Sequence, residues 1–371
     1  MIFYNAIRPL LFRLDAETVH HATVEACRWS GAIPGVTTIS RALLEVHDPA
    51  LQSVVAGIHF ENPIGLAAGW DKSARALPML DSLGFGFAEI GSISARASVG
   101  NPKPRLFRSV DDLAIIVNYG LPNDGATVVS KRLAAHRSRH PLGVNIVKTN
   151  DGPNAAHCTD DDILADYEQS VALTHQHASY LMLNLSCPNA EGCKDFFSQR
   201  GNIARLLERL RPLCVASPVF LKIAPNDDPS SIERLLEECD EFKFVRGFCF
   251  NLPAGKPNTL ALTTPLGALY DMPGAVSGKP VAALINRCIS SLYSRMDRQR
   301  YNIIGTGGIF TAEDAYEKIR LGASLVQLYT ALIYEGPCVV KHIGLGLVKL
   351  LKRDGYDHVE QAVGTASLNS V

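Results

Sequence analysis

Hydrophobic and polar positions divide the chain into two regimes. Over Ala6–Leu14 the apolar residues Ile7, Leu10, Leu11 and Leu14 recur at helical spacing. A second stretch begins near Asp15–Glu17, carries Val19, Ala22, Ala26 and Trp29 on one face, and ends near Gly31 and Pro34. From about Leu51 the pattern changes to short apolar runs separated by longer segments of helical period, the signature of a parallel α/β domain. Eight runs predict strands: Ile64–Ala67, Phe87–Ile90, Leu142–Ile146, Tyr180–Leu185, Val219–Ile223, Gly247–Phe250, Asn302–Ile304 and Leu325–Leu328. The GxGxxG turn that opens a doubly wound dinucleotide fold is absent. The pattern therefore predicts a closed (β/α)8 TIM barrel over residues 46–371, preceded by a small N-terminal helical extension over residues 1–45. Two short amphipathic helices ahead of a barrel either cap its open end or face a membrane or hydrophobic ligand. The pattern leaves both roles open.

Composition narrows the partners. With 371 residues, 47% hydrophobic and 20% charged, the chain has the balance of a soluble globular protein with a sizeable core. A formal net charge of −1 argues against a nucleic-acid partner or a polyanionic substrate. No apolar run approaches the roughly 18 residues needed to span a bilayer. Met1–Leu14 has Arg8 and Arg13 among its apolar residues and lacks the core and cleavage site of a secretory signal. The expected setting is cytoplasmic, or peripheral on the inner face of the cell membrane. The nine cysteines form no CxxC pair, and the close pair Cys187 and Cys193 has no histidine at ligand spacing, so no metal site is expected.

In a barrel of this kind the functional residues lie just beyond the C-terminal ends of the strands. Those positions hold Gly69-Trp-Asp-Lys72, Gly91-Ser92, Asn145, Asn184 to Asn189, Lys222, Asn251, Gly307-Gly308 and Tyr329-Thr330. Two lysines and several asparagines suit a planar polar heterocycle together with an anionic cofactor. The paired carboxylates of a glycosidase and the histidine cluster of a metal site are both missing from them.

Several stretches resemble dihydroorotate dehydrogenases. They are Asn62-Pro-Ile-Gly-Leu-Ala-Ala-Gly-Trp-Asp-Lys72, Lys103-Pro-Arg-Leu-Phe-Arg108, Asn184-Leu-Ser-Cys-Pro-Asn189, Phe220-Leu-Lys-Ile-Ala-Pro225, Ile303-Ile-Gly-Thr-Gly-Gly308 and Gly322-Ala-Ser-Leu-Val-Gln-Leu-Tyr329. The resemblance implies an FMN-dependent oxidation of dihydroorotate to orotate in pyrimidine biosynthesis. The helical extension looks like that of the membrane-associated, quinone-using class, where it forms a hydrophobic tunnel to the flavin. The base position departs from that class: Cys187 stands where quinone-using members have serine, as in the soluble members, and Gly120-Leu-Pro-Asn123 also echoes the soluble class.

The resemblance assigns further roles. Cys187 is the base that removes a proton from carbon 5 while hydride leaves carbon 6; a thiol, with a reference pKa of about 8.5, yields its proton far more readily than a serine hydroxyl. The competing reading is a buried, inert thiol. Lys222 faces the negative charge of reduced flavin, unless it merely snorkels out of the barrel mouth. Ala68, Gly69, Lys72, Ser92, Asn145 and Asn184 are expected along the flavin. Its phosphate is expected at Gly278 (beside Ser277), Gly308 (beside Gly307), and Tyr329-Thr330. The substrate is expected at Lys72, Gly120, Leu121, Asn123, Asn184, Asn189 and Asn251. Three positions depart from the family pattern: Val117 replaces an asparagine, Phe250 a threonine, and Leu252 a threonine or serine. Losing polar partners for a charged substrate changes preference. The alternatives are therefore another cyclic amide or reduced heterocycle, or a barrel that binds FMN or a metabolite without turnover.

Overall fold

The computed structural model describes residues 2–152, 158–186, 196–214, 217–265, 267, 269 and 271–367. Three helices open the chain: α1 (Ile2–Leu11), α2 (Ala16–Gly31) and α3 (Val36–Leu44). Asp15 caps α2 by accepting a hydrogen bond from the Thr18 backbone at 2.8 Å. Helix α1 begins earlier and ends earlier than the apolar spacing predicts. Helix α3 is additional, restarted after Pro34 by Gly35 in the left-handed conformation, φ 87°.

A hairpin, β1 (Ser53–Val55) and β2 (Ile58–Phe60), leads to β3 (Ile64–Leu66) and β4 (Phe87–Ile93). Strands β5 (Leu106–Ser109) and β6 (Ala114–Val117) then leave the barrel. β7 (Leu142–Ile146), β8 (Tyr180–Asn184), β9 (Val219–Ile223) and β10 (Val245–Phe250) continue it. β11 (Ala275–Gly278) pairs antiparallel with β6, making a three-stranded sheet with β5. β12 (Asn302–Gly305) and β13 (Leu325–Leu328) complete a closed parallel barrel in the order β3-β4-β7-β8-β9-β10-β12-β13. All eight barrel strands coincide with the predicted runs to within three residues at either end. The sheet of β5, β6 and β11 is a finding of the structure.

The strands are buried on both faces, as a barrel wrapped in helices requires, so they read as continuous apolar runs. Phe87, Tyr180 and Phe220 stack edge to face at the N-terminal end, with centroids 5.4 to 6.4 Å apart. Phe60 of the hairpin closes over Phe87 at 5.3 Å. That end is filled with rings. The mouth at the opposite end is where polar side chains are left to act.

Helix α2 is tied to the barrel side by a buried ion pair. Arg105 donates through Nε to Glu17 at 3.1 Å and through Nη2 at 2.7 Å, with both residues almost inaccessible. Arg108 donates to the carbonyl of Leu14 at 2.9 Å, and Tyr4 Oη donates to the Ile333 carbonyl. Among the described residues no helix is long and apolar enough to cross a membrane.

Candidate functional site

Two cavities meet at the C-terminal mouth. The first, about 870 Å³, is lined at strand ends by Ala68 and Gly69 after β3, Lys222 on β9, Asn251 after β10, and Gln327 on β13. One wall is made of glycine-bearing turns after β11 and β12. Gly278 ends β11 at φ 95°, and Gly307 and Gly308 follow β12 at 78° and 76°. Successive residues of this geometry turn backbone N–H groups into one concavity. A Cβ at Gly278 would run into the Leu113 carbonyl, so only glycine lets the chain pass so close. Thr330 hydrogen-bonds Ser277 across these turns at 3.0 Å.

The floor of the mouth is a row of hydrogen-bonded side chains. Ser92 Oγ donates to Asn145 Oδ1 at 2.6 Å, Asn184 Nδ2 donates to Ser92 Oγ at 3.2 Å, and Asn251 Nδ2 donates to Asn184 Oδ1 at 2.9 Å. The structure thus brings together four residues that lie far apart in the chain. Two buried polar atoms on this cavity's wall, Gln327 Oε1 and Tyr119 Oη, have no protein hydrogen-bond partner. Glycine-bearing turns, a buried lysine and unpaired polar atoms fit a phosphorylated planar cofactor such as FMN.

Lys72, Asn123, Gly120 and Leu121 lie to one side. Lys72 and Asn123 line an adjoining cleft with His20 and Asp71 rather than the first cavity. The Lys72 ammonium bonds His20 Nε2 at 3.0 Å and sits 4.1 Å over the Tyr119 ring. Burial pushes its pKa down to about 7, against the pull of Asp71 and Glu17. Burial, with the Lys72 and His21 charges, likewise holds His20 well below the usual histidine value. Asn123 spends its amide nitrogen on Ser94 and on the Leu121 carbonyl. Gly120 and Leu121 both have positive φ, 65° and 62°, in the turn that holds it. Val117, Phe250 and Leu252 all face the first cavity. Cys187 and Asn189 lie outside the described residues.

The second cavity, about 1160 Å³, lies between the helices and the barrel. Phe12, Val19 and Leu44 line it from one side, and Trp70, Leu106 and Ile333 from the other. Tyr329 borders both cavities, and His20 accepts or donates at 3.3 Å to its hydroxyl. The sequence reading did not single out His20, Tyr119, Gln327 or Glu89. Glu89 and Gln327 carried a signal nonetheless, each being a lone polar side chain inside an apolar strand run.

The fold is a (β/α)8 barrel, and the relatives it matches make the chain an oxidoreductase. Residues 50–351 match the family profile described as dihydroorotate dehydrogenase. A dihydroorotate dehydrogenase (quinone) of Natronomonas pharaonis is 38% identical over 370 residues, covering 98% of this chain and 99% of that one. One from Mycobacterium tuberculosis is 37% identical over 369 residues, covering 98% of each. The crystal structure of DHODH from Eimeria tenella in complex with ferulenol superposes with a TM-score of 0.81 at 30% identity, covering 95% of this chain and 96% of that one. The chain belongs to the dihydroorotate dehydrogenase family.

Proposed function

We propose that the chain oxidises dihydroorotate to orotate in pyrimidine biosynthesis, using bound FMN, and passes the electrons to a quinone. The observation that carries this is the pair of cavities sharing Tyr329. One lies at the barrel mouth and takes in Lys222, Asn251 and the glycine turns at 278, 307 and 308; the other is apolar and bounded by the N-terminal helices.

Bound FMN supplies a hydride acceptor beside the substrate. The glycines at 278, 307 and 308, with Thr330, hold its phosphate. Ala68, Gly69, Ser92, Asn145, Asn184, Lys222 and Tyr329 line its ring and tail. The Lys222 ammonium would stabilise negative charge that the flavin ring takes up, because a charge buried out of water acts strongly on its neighbour. On the substrate side Asn184, Asn189 and Asn251 hydrogen-bond the pyrimidine edge. Lys72 attracts the substrate carboxylate, and the turn of Gly120, Leu121 and Asn123 shapes that wall. The Cys187 thiolate takes the carbon 5 proton; its role rests on the Asn184–Asn189 motif.

Residues 1–45 act as a separate extension that admits quinone to the barrel of residues 46–371. Exposed Leu10, Trp29, Ile39 and Leu43 on α1–α3, with Ile33 in the turn before α3, support peripheral contact with the inner face of the membrane. Val117, Phe250 and Leu252 favour a second reading, a less polar reduced heterocycle as substrate, because they present apolar groups to the first cavity.

Anaerobic mixing tests both. Dihydroorotate should bleach the purified yellow protein and a quinone should restore the colour. The cofactor released by heat should be FMN. Colour unaffected by dihydroorotate but bleached by another dihydropyrimidine would favour the second reading, and release of FAD would overturn the cofactor assignment.

A further inference from the structure

Glu89 stands on β4 inside the barrel, with its side chain fully removed from solvent. The roles proposed above make no use of it. Four donors converge on its carboxylate: Asn145 Nδ2 at 2.7 Å, Gln327 Nε2 at 2.9 Å, Tyr180 Oη at 3.1 Å, and the Lys222 ammonium at 3.8 Å. Asn145 and Lys222 address Oε1, whereas Tyr180 and Gln327 address Oε2.

A carboxylate only accepts hydrogen bonds, and that constraint propagates through the mouth of the barrel. Asn145 must turn its amide nitrogen toward Glu89, which leaves its Oδ1 to accept from Ser92. The Ser92 hydroxyl has then spent its proton and accepts from Asn184 Nδ2. Asn184 in turn presents Oδ1 to Asn251 Nδ2. Every bond in the row runs in one sense, from Asn251 through Asn184, Ser92 and Asn145 down to Glu89. Carboxamides are otherwise ambiguous, since either end can face a neighbour. The same constraint turns Gln327 Nε2 toward Glu89 and leaves Gln327 Oε1 on the cavity wall without a protein partner. Tyr180 fits the scheme, donating to Glu89 and accepting from Gln327 at 3.4 Å.

We propose that Glu89 is the positioning residue of this site: it fixes which face each carboxamide shows to the ligands, and it is the counter-charge of Lys222. The inference rests on the reading of the first cavity as a flavin site. Two consequences follow. Asn184 and Asn251 reach the substrate in one orientation only, and the positive field of Lys222 on the flavin is partly offset. Glu89→Gln keeps the shape but removes the charge and adds donors. The unopposed Lys222 then favours the reduced cofactor, so the flavin potential rises.

The test is anaerobic redox titration of the flavin-loaded protein against a reference dye, with orotate binding followed by the flavin absorbance change. Glu89→Gln should shift the two-electron equilibrium at least tenfold toward reduced flavin, which is about 30 mV, and should weaken orotate binding. Tyr180→Phe removes one donor and leaves the carboxylate less compensated, so its shift should have the opposite sign. A purely packing role for Glu89 predicts lower stability with an unchanged potential in both variants, and that result overturns the proposal. If Glu89→Gln fails to load with flavin, Tyr180→Phe decides alone: a lowered potential supports the proposal, and an unchanged or raised one ends it. Wild-type protein that binds no flavin overturns the underlying reading itself, which is a different outcome from an unshifted variant.

Discussion

Removing the carboxylate of Glu17 should detach the quinone side of the molecule while leaving the substrate side intact. Glu17 and Arg105 are each less than 10% exposed, and the guanidinium reaches the carboxylate through two nitrogens. Breaking one partner of a buried pair typically destabilises by about 3–5 kcal/mol, because the other charge remains buried. Here Arg105 retains bonds to the carbonyls of Val99 and Asn101, at 2.6 and 2.8 Å. The lower end, about 3 kcal/mol, is therefore expected, and it corresponds to roughly two powers of ten in the docked population of α2. The loss falls on α2, which also meets Arg75 through Glu25 and Lys72 through His20, and which lines the second cavity. In Glu17→Ala, flavin reduction by dihydroorotate measured in stopped flow should stay near the wild-type rate. Quinone-dependent reoxidation should drop at least tenfold, and the amides of α2 should lose protection from hydrogen exchange. Acid should mimic the variant. Burial raises the Glu17 pKa, but the hydrogen bond and charge of Arg105 outweigh it, with His21 and Lys103 adding to them, so the net shift is downward. A depressed carboxyl contributes stability above its unfolded value near 4.3, and that contribution fades as pH falls through the folded value. Full quinone activity and unchanged exchange in Glu17→Ala would refute the reasoning.

The remaining predictions concern the first cavity and its flank. Lys222→Ala should weaken flavin retention and lower the flavin potential, and an unchanged potential removes Lys222 from the site. Cys187→Ser should bind flavin but reduce it slowly, with the rate still rising at alkaline pH, and Cys187→Ala should be slower again; near wild-type reduction of the alanine variant in stopped flow refutes the role of base. Lys72, pushed down to about 7 by burial, is an ammonium below that pH and neutral above it, so KM for the anionic substrate should rise between pH 6 and 8. A flat KM across that range, or the same rise in Lys72→Met, counts against it.

Much of this architecture was legible in the sequence, because the barrel strands announce themselves. A strand buried on both faces is largely apolar, so Leu142–Ile146 and Val219–Ile223, each with a single polar residue near its C-terminal end, match the predicted runs to the residue. The glycines at 278, 307 and 308 show in the sequence as ordinary turn signals, and only the family resemblance singles them out; all three have positive φ. The sheet of β5, β6 and β11 was not. Its pairing of Val117 with Ala275 joins segments separated by four of the barrel strands, and no local pattern encodes that register. Glu89 and Glu17 escaped for a related reason. Glu89 shows in the sequence only as a lone polar residue in an apolar run and Glu17 as an ordinary helix-end charge; their roles emerge when partners 56 and 88 positions away close on them. The departures at Val117, Phe250 and Leu252 line the first cavity, which is as far as the structure places them.

The partition at Tyr329 has a kinetic and pharmacological consequence. Tyr329 lines both chambers, and on the proposed reading the reductant and the oxidant occupy different ones, so they never need to be present together. Turnover should follow a two-stroke scheme with parallel double-reciprocal lines. A compound wedged among the helices should compete with quinone while leaving the affinity for dihydroorotate untouched. The two walls of that outer chamber also answer to different constraints. The barrel side is bound to the chemistry behind it, whereas α1–α3 are free to vary with the acceptor pool of the host, and selective inhibitors should find their discrimination at Phe12, Val19 and Leu44.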